Sequence, residues 1–178
     1  MKEQSTAIPP EIRTPRLSLR RLTLEDAEVF YVLGSHPEVI RYAQRQPLRS
    51  LEEARERLRE APLRDYATHG CGRLLVIENE SGKPIGWCGL KYVDELGEVD
   101  LGYRLLPEHW GRGYALEACR AALDRGWPQP GLRRIVATVI PENQRSLRLL
   151  GTLGFVYERR VVLSGGEREY ELHALALR

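Results

Sequence analysis

The sequence predicts a mixed α/β domain, one sheet with helices on both faces. Three observations support this. Runs rich in β-branched and apolar residues alternate with stretches of helical apolar spacing, in the order strand, helices, three strands, helix, strand, helix, two strands. Capping boxes at Thr23 and Ser50 mark helix starts. Two consecutive strand–loop–helix units run from 98 to 125 and from 133 to 153.

Taken in order, residues 1 to about 12 are expected to form a loose polar tail, within a single domain spanning 1–178. Leu17, Leu19 and Leu22 suggest the first strand. Thr23-x-x-Asp26 opens a helix to Leu33 that turns Ala27, Phe30 and Leu33 inward. Gly34-Ser-His-Pro37 breaks it, and a short helical piece carries Val39, Ile40 and Tyr42. Ser50-x-x-Glu53 starts a helix to about Ala61, where Pro62 interrupts. Strands over 74–79 and 84–92 flank the hairpin turn Glu80-Ser81-Gly82-Lys83. A further strand begins at Glu98 and ends at Pro107.

Trp110-Gly111-Arg112-Gly113-Tyr114-Ala115 then leads into a helix. Its small or apolar stripe is Ala115, Ala118, Cys119, Ala122 and Leu123, and Gly126 and Pro128 are expected to stop it. Arg133 to Ile140 reads as a strand, and Asn143 as the N-cap of a helix carrying Leu147, Leu150 and Leu153. Gly154 closes that helix. A last hairpin has arms at 155–163 and 170–177 around Gly165-Gly166.

The glycine loop carries the chemistry. A glycine turn opening a helix presents unpaired N–H groups and the positive end of the helix dipole, an arrangement suited to phosphate. A dinucleotide fingerprint needs a glycine at Leu116, and no Gly-Lys-Ser/Thr run for a Walker loop exists. Turn formation alone is the competing explanation of these glycines. Net charge is only +2, from 27 basic and 25 acidic residues, which argues against a nucleic-acid partner. Cys71, Cys88 and Cys119 form no metal spacing with the four histidines, so no metal is expected. No signal-peptide core or membrane-length apolar run is present, and a soluble, cytoplasmic protein is expected.

The glycine loop, together with Asn143-x-x-Ser146 and Leu153-Gly154-Phe155, resembles the GNAT superfamily of N-acetyltransferases. The opening Thr14-Pro-Arg16-Leu17-x-Leu19-Arg20 is similar to the branch that acetylates the N-termini of ribosomal proteins. The resemblance covers roughly 12–177. It implies a mostly antiparallel sheet splayed between its fourth and fifth strands. It also implies acetyl-CoA as co-substrate, no covalent intermediate, and an amine acceptor, most directly a protein N-terminus, with a small amine or an antibiotic as the alternative. A non-catalytic coenzyme-binding sensor is the rival outside catalysis. The protein is expected as a monomer or homodimer.

By the same resemblance, Tyr103, Arg104 and Leu105 offer the edge along which the pantetheine arm pairs, and the Leu105 N–H polarises the thioester carbonyl. Gly111, Arg112, Gly113, Tyr114, Ala115 and Leu116 hold the pyrophosphate, and Asn143 contacts the cofactor arm. Tyr31, His36 and Tyr42 lie where relatives form the acceptor pocket. Trp110 replaces the motif's usual Arg or Gln. Leu150 stands where many relatives carry a tyrosine acid, leaving Ser146 as the nearest group to meet the departing thiolate, although serine is ordinary in a first helical turn. Glu98 and Asp100 lie two apart on one strand face. Asp100 occupies the position of the relatives' glutamate and is the first choice of base, with Glu98 in reserve; both also suit solvated strand charges.

Overall fold

The computed structural model describes residues 11–42, 46–125, 131–163 and 167–177. Its strands are β1 (Glu11–Arg13), β2 (Leu17–Arg21), β3 (Arg73–Glu78), β4 (Pro84–Val93), β5 (Glu98–Leu105), β6 (Arg134–Val139), β7 (Val156–Val162) and β8 (Glu169–Ala176). Its α-helices are α1 (Ala27–Ser35), α2 (Pro37–Ile40), α3 (Leu51–Leu58), α4 (Arg64–His69), α5 (Tyr114–Arg125) and α6 (Gln144–Leu153). One eight-stranded sheet runs in the order β1-β2-β3-β4-β5-β6-β8-β7.

Every neighbouring pair is antiparallel except β5 and β6, which are parallel and share the single register pair Asp100↔Val136. By contrast β4 and β5 pair over eight positions, from Gly86↔Leu105 to Val93↔Glu98. The sheet is therefore continuous at the Asp100 level and open beyond it. This is the splay expected between the fourth and fifth strands, which become β5 and β6 once β1 is counted.

The two faces of the sheet carry different helices. Cys88 on β4 meets Cys119 of α5 at 3.7 Å, and Tyr103 on β5 meets Ser146 of α6. Alternate residues on the same strands face the other way. Trp87 packs there with Leu22, Ala27, Leu58 and Leu75, under α1 and α3. The larger core cluster joins Leu101, Leu105, Ala118, Cys119, Ala122, Ile135 and Ala137, so the small stripe of α5 does lie close on the sheet.

Three expectations are corrected. The tail does not extend to residue 12: Glu11 and Ile12 pair with Arg20 and Leu19, and Ile12 is 1% exposed. An isolated isoleucine in polar sequence gave no alternation to read. Second, the Thr23 box opens a 3-10 turn, Leu24–Asp26, before α1 begins. Third, Pro62 does not end the helix begun at Ser50. Arg59–Leu63 widens into a π-helical turn that holds Pro62 and continues into α4, closed by Gly70 in the left-handed region. A wide turn relieves the clash of a proline ring with the preceding carbonyl. Gly126, Pro128, Gly165 and Gly166 lie outside the described residues.

Candidate active site

The parting of β5 and β6 leaves a cleft of roughly 130 Å³, lined by Tyr42, Leu101, Gly102, Tyr103, Ala137, Thr138, Val139, Ile140, Asn143, Ser146, Leu150 and Tyr170. It reaches through the sheet. Tyr103, Asn143, Ser146 and Leu150 come from the α5–α6 side, while Tyr42, Ile140 and Tyr170 belong to a cluster on the opposite face.

Backbone direction at the end of β5 follows from two hydrogen bonds. Leu106 N–H donates to Ile85 C=O on the β4 side. Because successive strand residues point their polar groups to opposite edges, Leu105 N–H points to the open edge. The Leu105 C=O shares that edge and accepts from Trp110 Nε1 at 2.8 Å. The indole thus occupies the carbonyl and leaves the amide. Arg145 of α6 stacks on the same indole, 4.5 Å from its centroid. Trp110 therefore ties the end of β5 to α6.

The glycine loop begins directly after Trp110. Gly111 and Gly113 have φ of +74° and +79°, and a Cβ at Gly111 would meet open space. Their requirement is conformational, since other residues rarely adopt that region. Glu117 N–H donates to Gly113 C=O, the first bond of α5, so the amides of Tyr114, Ala115 and Leu116 remain without helical acceptors. The loop is held from below. Thr14 Oγ1 and Arg16 N–H donate to Glu117 Oε1 at 2.6 and 3.0 Å, and Arg16 Nη1 donates to Arg112 C=O at 2.8 Å. The Arg16 guanidinium also lies 4.6 Å from the centroid of the Tyr114 ring, whose hydroxyl donates to Glu78 at 2.7 Å. Burial pushes the Glu117 carboxyl up, but the Thr14 and Arg16 contacts outweigh it and hold the carboxyl below its usual range. The Thr14-Pro15-Arg16 segment thus braces a positive, amide-lined turn beside an opened strand edge.

A sequence model described as "Acetyltransferase (GNAT) domain" matches residues 16–156. The chain belongs to the GNAT family of acetyltransferases. It is 38% identical over 160 residues to the uncharacterized N-acetyltransferase p20 from Bacillus licheniformis, covering 89% of this chain and 85% of that one. Among solved structures, it resembles spermidine N-acetyltransferase from Vibrio cholerae in complex with CoA and spermine. That likeness has TM-score 0.73 and 21% identity, over 92% and 96% of the two chains. It also resembles ribosomal-protein-S5-alanine acetyltransferase from Vibrio fischeri, with TM-score 0.72 and 22% identity over 93% and 96%. At these identities the two structures establish the fold. No helix among the described residues is long and apolar enough to cross a membrane, and none of their His, Cys, Asp and Glu side chains group as a metal site.

In this GNAT domain neither candidate base is among the residues that line the cleft. Asp100 is 6% exposed. Its Oδ2 accepts from Arg73 Nη2, and its Oδ1 from Thr138 N–H at 3.2 Å, so both oxygens are engaged where β5 last touches β6. Arg73 also donates to the Asp100 and Gly89 carbonyls. Gly102 makes this possible, because a Cβ there would stand 2.5 Å from the pinned guanidinium. Glu98 binds Arg134, which also reaches Glu158, at the closed end of the splay.

Ser146 and Tyr103 do come together in the cleft, Oη to Oγ at 2.9 Å. Burial pushes the Tyr103 phenol up to about 12, against the lowering effect of Ser146. Asn143 lines the cleft while its Oδ1 caps α6 by accepting from Ser146 N–H. Of the three acceptor-pocket residues, Tyr42 lines the cleft; Tyr31 and His36 are not among the lining residues. Sequence reasoning missed Tyr170, Thr138 and Arg73. The alternation of β8 signalled that Tyr170 shares a face with Leu172, but only the order β6-β8-β7 brings that face to the cleft.

Proposed function

We propose that this protein transfers the acetyl group of acetyl-CoA to the α-amine of a protein or peptide N-terminus, by direct attack within a ternary complex. The glycine loop would hold the pyrophosphate on the amides around Gly111–Leu116, and the open edge at Leu105 would receive the pantetheine arm. Polarisation of the thioester carbonyl by the Leu105 N–H is worth about 3 kcal/mol in a transition state of this kind.

The observation that carries the choice of acceptor is the chemistry of the cleft wall. Among its described lining residues there is no Asp, Glu or His. The amine must therefore arrive largely able to shed its own proton. An α-amine of pKa about 8 is ~10% neutral at pH 7, whereas an alkyl ammonium of pKa about 10.4 is neutral in only ~0.04% of molecules. That difference of more than two orders of magnitude favours an α-amine over a polyamine or lysine. A small amine of low pKa is the second reading, supported by the same lining.

The leaving thiolate would accept a hydrogen bond from Ser146, itself oriented by Tyr103. A phenol near pKa 12 does not surrender its proton to a thiolate of pKa about 8.5. The pair therefore stabilises the departing sulfur rather than protonating it. The neutral amine attacks, and the proton that reaches the sulfur through water comes from the nitrogen that becomes cationic in the tetrahedral intermediate. Asp100 acts in this reading as a positioning residue that sets where β5 and β6 part.

Thiol release from acetyl-CoA with a panel of N-terminal peptides, lysine-only peptides and spermidine tests the proposal. Turnover confined to free α-amines is expected. Preferential turnover of spermidine or lysine would overturn the choice of acceptor, and tight CoA binding with no turnover on any amine would overturn catalysis itself.

A further inference from the structure

The face of the sheet opposite α5 and α6 carries a group that the transfer chemistry does not use. Arg104 points to that face, two residues along β5 from Gly102 on the cleft wall, a separation of about 7 Å. Its guanidinium lies 5.2 Å from the centroid of the Trp87 indole, and that of Arg73 lies 5.5 Å from the same ring. Arg57 of α3 is the third cation of the group. Two of the three are neutralised: Arg73 by Asp100, and Arg57 by Glu53 at 3.3 Å. Among the described residues Arg104 makes no hydrogen bond or ion pair through its guanidinium; its recorded partner is the indole. Burial, followed by the charges of Arg73 and Arg57, lowers its pKa to about 10, which leaves it fully cationic at neutral pH.

Such a charge is costly to keep half-buried without an anion. A guanidinium over an aromatic face still has N–H donors to offer, and their fork matches carboxylate and phosphate geometry. Arg104 lies with Trp87 on the sheet face opposite α5, whose first turn follows the glycine loop, so a diphosphate held on that loop is not placed to be its counter-ion.

We infer that Arg104, stacked on Trp87, binds an anionic group, carboxylate or phosphate, carried by the acceptor beside its reactive amine. The inference rests on the amine-acetylation reading above and narrows it. Arg104 directly precedes Leu105, whose N–H the reading above places at the thioester carbonyl, so the anion belongs to the acceptor residues next to the reactive amine. A polycation such as spermidine would instead be repelled.

The test uses peptides identical except for Glu, Gln or phosphoserine at positions two and three, with spermidine as the cationic extreme. The wild type is expected to favour the Glu or phosphoserine peptide over the Gln peptide in kcat/KM by about tenfold, mainly through KM. The larger of the two preferences identifies the oxyanion. In Arg104→Gln that ratio should fall below about twofold, with Arg104→Lys restoring part of it. Because the readout is a ratio within each variant, a general loss of activity does not affect it. Calorimetry of the N-acetylated peptides on the CoA-loaded protein provides a reading independent of turnover. Turnover with no charge preference in the wild type, or a preference that persists in Arg104→Gln, overturns the anion site and leaves acetyl transfer standing. Charge-selective binding without turnover does the reverse. Neither binding preference nor turnover overturns both.

Discussion

Asp100 shows how one carboxylate can fit two readings until its neighbours are known. On the strand it looks like a base aimed at an acceptor. In three dimensions it is buried against Arg73 and the Thr138 amide. Removing one partner of a buried pair costs about 3 kcal/mol or more, because the other charge is left stranded. Asp100→Asn is therefore expected to lower unfolding free energy by about 3 kcal/mol in chemical denaturation, while its pH–rate profile keeps the wild-type shape. Loss of the acidic limb with unchanged stability would return Asp100 to the role of base. Tyr103 and Ser146 make the complementary case. If they act as one hydrogen-bonded unit on the leaving sulfur, Tyr103→Phe and Ser146→Ala should each lower kcat by about tenfold, and the double variant little further. Multiplicative losses would mean separate roles.

At the scale of elements, the Thr14–Arg16 turn and the first turn of α5 behave as one piece, because Glu117 is bonded from both Thr14 and Arg16. Arg16→Ala should leave the sheet intact but loosen the glycine loop, raising the Kd for CoA about tenfold in calorimetry. An unchanged Kd would show that the loop holds its shape unaided. The turn entering α1 is fastened similarly. Asp26 accepts from Arg20 at 2.8 and 2.9 Å and from Thr23 N–H at 2.8 Å. Burial raises its pKa, but these bonds outweigh burial and the net shift is downward from 3.8. A depressed carboxylate pKa contributes stability that is complete above the unfolded value and disappears as pH falls through the folded one. The stability difference between wild type and Asp26→Asn should thus be full at pH 7 and close below pH 3.8. A difference that does not shrink as pH falls below 3.8 would refute the linkage.

For the whole molecule, the open wedge between β5 and β6 implies that a coenzyme filling it completes the sheet. A ligand that binds only the folded state stabilises it by about 2.7 kcal/mol at a hundredfold excess over Kd. Saturating CoA should therefore raise Tm by several degrees for a chain of this size. Gly113→Asp should abolish most of that rise, since its φ of +79° strains any side chain and a carboxylate would face the diphosphate. An equal rise in both proteins would place the coenzyme elsewhere.

Much of this was legible in the residues themselves. The alternating pattern at 98–105, the paired glycines at 111 and 113 and the Asn143 cap each act within a few positions, so local sequence determined strand, loop and helix, and with them the phosphate-ready turn. Where the chain crosses itself, sequence was silent. Continuation of the helix past Pro62 depended on a wide turn that propensity does not encode. The Arg73–Asp100 pair joins residues 27 apart, Arg16 reaches across 101 positions to Glu117, and Tyr170 enters the cleft only because β8 lies beside β6. Those pairings decided which carboxylate is spoken for and, of the three arginines grouped at Trp87, which one is left without an anion. Backbone preference is a short-range property; the electrostatic environment of a side chain is set by whichever distant residues the fold places against it.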